Sequence, residues 1–175
     1  TSMAAPHVAG VAALLKSVAP AASPSTIRQL LIDSAQPNAG LAGLMVSGGT
    51  VDAFEAIRSL DSAAPLLVSS IPADDALSVA VDSDIVLTFS EPVIAMAGDV
   101  TIHRADDGSV VEAIPTAATQ PQGVSSTQFT IGNHMFSLDL AADTGYYVTI
   151  SVGGYVDLAD NPYTGITDST SFSFT

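Results

Sequence analysis

Three groups near the start of the sequence can take part in nucleophilic chemistry: the hydroxyls of Thr1 and Ser2 and the imidazole of His7. A serine hydroxyl is a weak nucleophile at neutral pH. It needs an adjacent base, a third group that orients the base, and donors for the oxyanion that develops on the substrate carbonyl. His7 is poorly placed to be that base. It comes five residues after Ser2, about 1.4 helical turns, and so faces another side of any helix the two share. It reads as a packing or hydrogen-bonding histidine. His103 and His134 stand far downstream, in sequence rich in β-formers. An N-terminal threonine can use its own amine as base, but that chemistry is built on a strand edge, whereas Thr1 precedes a helix.

Oxygen-rich clusters are the second kind of candidate. Asp157, Asp160 and Asn161 crowd one turn, and Asp74, Asp75, Asp82 and Asp84 form a looser group. Such clusters can hold Ca²⁺, the one cofactor the sequence admits, although three oxygens are few and the spacing is not that of an EF-hand loop. The competing reading is that these side chains cap turns. The aromatics Phe89, Phe129, Phe136, Tyr146, Tyr147, Tyr155, Phe172 and Phe174 could stack on carbohydrate, but their place within strands favours core packing.

The elements that position these groups change character along the chain. Val8–Val18 is apolar all round, the pattern of a helix buried on every side. Pro6 is tolerated near its start, where backbone donors are unpaired. Pro20 ends it. Ser23-Pro24 opens a second helix, with Ser23 as N-cap, Pro24 in the first turn, and Ile27, Leu30, Leu31 and Ala35 as its apolar stripe, closed by Pro37 and Gly40. Gly48-Gly49 makes a turn before a last helix that runs to about Leu60. Asp61–Pro65 is a small polar connector. Beyond it the pattern becomes short strands: 85–89, 100–103, 110–114, 128–131, 135–140, 146–152 and 171–174. Turns such as Asp106-Asp107-Gly108, Gly132-Asn133 and Asp160-Asn161-Pro162 separate them. About seven short strands suggest an antiparallel β-sandwich.

Thr1-Ser2-Met3-Ala4-Ala5-Pro6-His7-Val8-Ala9-Gly10 resembles the segment around the nucleophilic serine of subtilisin-like serine proteases. The second helix and Gly48-Gly49-Thr50-Val51-Asp52-Ala53-Phe54-Glu55-Ala56-Ile57 resemble the segments that come next in that family. The resemblance implies that Ser2 is the catalytic serine and that its backbone N–H is one oxyanion donor. It implies that His7 is not catalytic. The family's catalytic Asp and His precede the serine, and no H-G-T segment occurs here. The missing N-terminal part of the catalytic domain would therefore be a partner of this chain, and it would also supply the sheet against which the first helix packs. Residues Ile71-Pro72-Ala73-Asp74, Ile85–Val93, Thr144–Ile150, Val156-Asp157-Leu158-Ala159-Asp160-Asn161 and Phe172-Ser173-Phe174 resemble bacterial Ig-like domains of surface-layer and secreted proteins. That family usually shows D-x-A-G-N where this chain has Asp157–Asn161. Aspartate can also adopt the left-handed geometry that the glycine serves.

The expected class is α + β in two parts: residues 1–61 as the helical C-terminal fragment of a subtilisin-like α/β domain, a linker at 62–66, and an antiparallel Ig-like β-sandwich over 67–175. The expected function is peptide-bond hydrolysis by the complete secreted bacterial enzyme, with protein or peptide substrates. This chain alone would be inactive. The alternative is a non-catalytic binding or structural Ig-like module carrying a protease remnant.

Composition bounds the partners. There is no cysteine, so disulfides and thiolate metal sites are excluded. Residues 1–62 hold Asp33, Asp52, Glu55 and Asp61 against Lys16, Arg28 and Arg58. Nearly all of the net charge of −14 therefore falls on residues 63–175, where Arg104 is the single base. Such a field repels nucleic acid and anionic membranes. No apolar run reaches spanning length, and an apolar fraction of 47% argues against disorder.

Overall fold

In a computed structural model of the chain, which describes residues 3–119, 124–132 and 140–175, helices come first and strands come after. The chain folds as two units, Thr1–Ser62 and Ala63–Thr175. The first contains α1 (Ala4–Val18), α2 (Pro24–Asp33), a ribbon of β1 (Gln36–Pro37) and β2 (Gly49–Thr50), and α3 (Ala53–Arg58).

Local chemistry explains these boundaries. Ser23 caps α2 by accepting from the Thr26 N–H, with Pro24 in the first turn, and Asp52 caps α3 by accepting from the Glu55 N–H. At the end of α1, Lys16 Nζ donates to the Pro20 and Ala22 carbonyls at 2.7 and 2.6 Å. Gly49 is required where it stands: a Cβ there would lie 2.2 Å from the Gln36 carbonyl oxygen, across the β1–β2 ribbon. α2 is shorter than its pattern predicts. It stops at Asp33: the Ser34 hydroxyl bonds back to the Leu30 carbonyl, the Ala35 N–H tightens to the Ile32 carbonyl three residues before it, and Ala35 falls beyond the helix.

The larger departure is α1. Its sequence predicts burial on every side, yet Leu15 is its one buried residue within the helical unit. Leu15 meets Ile27 and Ala56 in a small core, with Val11, Leu30, Leu31 and Ile57 packed around it. Val8, Leu14 and Val18 remain 41%, 43% and 55% exposed. The two short helices α2 and α3 cover one stripe of α1 and leave the rest bare.

The second unit is an antiparallel sandwich. Its strands are β3 (Leu67–Ile71), β4 (Ile85–Ala95), β5 (Asp99–Arg104), β6 (Val110–Pro115), β7 (Ser126–Ile131), β8 (Tyr146–Ile150), β9 (Tyr155–Asp157) and β10 (Ser173–Phe174). One sheet has the order β10-β8-β5-β6. The other has β3-β4-β7, with β9 also paired to β4. The expected strand at 135–140 lies outside the described residues except for Leu140, which is buried. Period-two alternation sends Ile85, Leu87 and Phe89 of β4, Val100 and Ile102 of β5, and Tyr146, Val148 and Ile150 of β8 into one shared core.

Most of the aromatics expected in the core lie there; Phe136 is outside the described residues, and Tyr147 departs from the expectation. Phe89 meets Phe129 and Tyr163 edge to face, at 5.8 and 5.3 Å between ring centroids, and lies 5.0 Å from Tyr155. Burial raises the Tyr155 phenol to about 12, partly offset by its hydrogen bond with Thr119, and raises Tyr163 to about 12 by burial alone. A folded-state value above the unfolded one of about 10 means the protonated form is favoured in the fold. That stability is present below about pH 10 and is lost as pH rises through 12. Absorbance titration at 295 nm should show these two tyrosines ionising only with alkaline unfolding. Their ionisation in a chain still folded at pH 11 would contradict the packing described.

Candidate functional site

Ser2, the predicted nucleophile, and Thr1 lie outside the described residues, which begin at Met3. α1 begins immediately after, at Ala4, with Met3 as N-cap, and no side chain among the described residues caps its N-terminus. The donors of its first turn are therefore not consumed by a cap among the described residues, and the positive end of the helix dipole lies beside the motif serine in sequence. Residues 3–10 are all exposed.

His7 is engaged locally: its Nδ1–H donates to the Met3 carbonyl at 2.8 Å. This is the hydrogen-bonding role the sequence suggests. The carboxylates of the helical unit also have local duties. Asp33 accepts from the Gln29 amide, Asp52 caps α3, and Glu55 pairs with Arg58 at 3.0 Å. His134 lies outside the described residues, and His103 stands on β5 of the sandwich.

The exposed flank of α1 opens into an apolar cavity of the helical unit, about 610 Å³ in volume. Val8 and Ala12 line it from α1, Ile27 and Leu31 from α2, and Met45 and Val46 from the loop before β2. Met45 and Val46 are themselves 47% and 79% exposed. An apolar trough of this kind in a 62-residue unit is surface that water covers poorly.

The oxygen clusters of the sandwich serve as turn anchors. Asp157 is fully buried. Its Oδ1 accepts from the backbone N–H groups of Ala159 and Asn161, at 2.7 and 2.8 Å, and its Oδ2 accepts from the Asn161 side-chain amide at 2.9 Å. Between them Asp160 adopts a left-handed φ of 63°, the geometry expected where the related pattern has glycine. Asp74 accepts from the Ser173 N–H and Asp75 from the Ser173 hydroxyl, fastening the segment after β3 to β10. Asp82 and Asp84 are both exposed.

Tyr147 does not join the core. It lies on the outer face of β8 and stacks on His103 of β5, with ring centroids 4.6 Å apart and planes 5° from parallel. The sequence carries the signal for this. In Tyr146-Tyr147-Val148-Thr149-Ile150-Ser151, the apolar phase of Val148 and Ile150 puts Tyr146 inside and Tyr147 outside with Thr149 and Ser151.

Comparison with known proteins agrees with this two-part layout. A model of the subtilase family matches residues 1–58, and a model of the bacterial Ig-like domain matches residues 61–175. Among solved structures, CopC from Methylosinus trichosporium OB3b is similar, at 16% identity over 63% of this chain and 91% of that one, with a TM-score of 0.46. No curated protein matches the chain.

Proposed function

Because the chain belongs to the bacterial Ig-like domain family through residues 61–175 and carries a subtilase-family segment ahead of it, we propose that it is a fragment of a secreted bacterial serine endopeptidase. Ser2 is the nucleophile, and the Ig-like unit is an appended spacer or binding module. Protein or peptide chains are the substrates. The base and its orienting carboxylate come from polypeptide outside these 175 residues.

The observation that supports this reading best is the bare apolar surface of α1 and the trough beside it. A helix that is apolar all round but covered on one stripe is built for further packing, and the rest of an α/β domain is the occupant the subtilase motif implies. In that assembled site the Ser2 oxygen attacks the substrate carbonyl carbon while the base takes its proton. The base then returns the proton to the departing amine, and water repeats the cycle on the acyl-enzyme. This chemistry is complete with base, orienter and oxyanion donors, so the reading requires no metal or cofactor. Among the described residues no helix is long and apolar enough to cross a membrane.

A fluorophosphonate probe tests the proposal. In a polypeptide that also carries the upstream histidine and aspartate segments, Ser2 should label, and labelling should vanish on prior denaturation. The 175-residue chain alone should not label. Labelling of Ser2 in the chain alone, or no labelling in the longer polypeptide, would overturn this assignment of roles.

A further inference from the structure

The stack of His103 on Tyr147 borders an open groove on the outer face of the β10-β8-β5-β6 sheet, about 620 Å³ in volume, within the usual range of ligand sites of roughly 300–1,000 Å³. Buried Ile150 and Ile166 close it beneath, while Thr149, Ser151, Thr167 and Ser169 bring hydroxyls to its walls. Gly165 makes this shape attainable. It has a φ of 77°, and a Cβ on it would lie 2.6 Å from the Ile150 carbonyl oxygen, so the 166–169 loop can approach β8 this closely only through glycine.

Both rings are held before any ligand arrives. His103 touches the Gly108 carbonyl through Nδ1 at 3.3 Å and the Thr149 hydroxyl through Nε2 at 2.9 Å, and Tyr147 is held against it. Asp168 is pinned by the N–H and hydroxyl groups of Thr170 and Ser171, which fixes the loop. The hydroxyls of Thr167 and Ser169 have no partner among the described residues.

We propose that this groove binds a neutral saccharide, with a pyranose ring laid against Tyr147 and its hydroxyls directed to Thr167 and Ser169. The ring supplies an apolar face with little left to order on binding. The hydroxyls match a polyol better than an apolar peptide side chain. The strongly negative charge of residues 63–175, with Asp168 at the rim, disfavours phosphorylated or uronic-acid ligands. The site stands on the sandwich alone and does not depend on the chemistry proposed for Ser2.

The test is a ¹H–¹⁵N NMR titration of the full chain with cellohexaose and with chitohexaose, which differ in substituent but share the neutral pyranose face. Saturable shifts are expected at Tyr147, Thr149, Ser151 and 167–171 with at least one of them, at roughly millimolar affinity. Tyr147→Ala should weaken binding by about tenfold or more. Thr167→Arg, a change on an exposed loop that fills the groove, should abolish it and decides the matter if the first variant unfolds. Absence of shifts with both sugars at about 10 mM, or binding that survives Thr167→Arg, would overturn the proposal.

Discussion

Ser2→Ala in the polypeptide that carries the whole catalytic segment should lower kcat/KM for peptide hydrolysis by about 10⁴-fold or more, leaving only what the oxyanion donors and substrate binding supply. His7→Ala is the informative contrast. His7 spends its Nδ1–H on the Met3 carbonyl at the start of α1, and it lies about 1.4 turns from Ser2. Its removal should loosen the first turn, costing no more than about tenfold in rate with the pH profile unchanged. Equal losses in the two variants, or an acidic limb of the pH profile that disappears with His7, would make His7 the base and remove the need for a histidine from outside this chain. The two residues sit in one ten-residue motif, so comparing them tests directly whether motif identity or mere proximity assigns the roles.

How legible each feature is in the sequence depends on how local its cause is. The Ser23 and Asp52 caps and the close approach at Gly49 are decided by a few neighbouring residues, and each stands where its residue type implies. The main strands are legible because alternation repeats over four or more positions. β9 is three residues long and β3 shows no clean alternation, so neither leaves a pattern. The β-former run marks β4 only as far as Phe89, yet the strand continues to Ala95. Pro92 is tolerated within it because it falls in the irregular stretch between Thr88 and Val93, where the β4–β7 register shifts before β9 also pairs with β4 from Val93 onward. No ladder bond is demanded there. For α1 the composition states a demand for burial, but what meets that demand is a matter of tertiary context, and the helical unit meets it along one stripe only. For Asp157 and its neighbours the sequence leaves cation binding and turn capping both open, because composition places oxygens without saying which donors face them.

Those donors make Asp157→Ala the stability change with the largest expected effect, about 2–4 kcal/mol lost from the sandwich in urea unfolding monitored within the full chain. The carboxylate is fully buried and receives three N–H bonds from the turn it closes. Removing it takes away the acceptor that the N–H groups of Ala159 and Asn161 and the Asn161 amide share, and it loosens the turn that holds Asp160 left-handed between them. The damage reaches the core because β9, which ends at Asp157, carries Tyr155 against Phe89 and Phe129 and pairs with β4. Asp157→Asn should cost less, since one oxygen can still accept both backbone donors, but it sets one amide donor against another at Asn161. The cation-binding reading predicts something different. There, Asn161→Asp would add a charged ligand and raise the Ca²⁺ dependence of the melt. If N–H groups are the true partners, Asn161→Asp replaces a hydrogen bond with two facing carboxylates and destabilises the turn whether or not calcium is present. A melting temperature for the unaltered chain that is the same in millimolar Ca²⁺ and in chelator is therefore expected. A rise of several degrees with Ca²⁺, enlarged by Asn161→Asp, would show that the turn is organised by a cation and not by its own backbone.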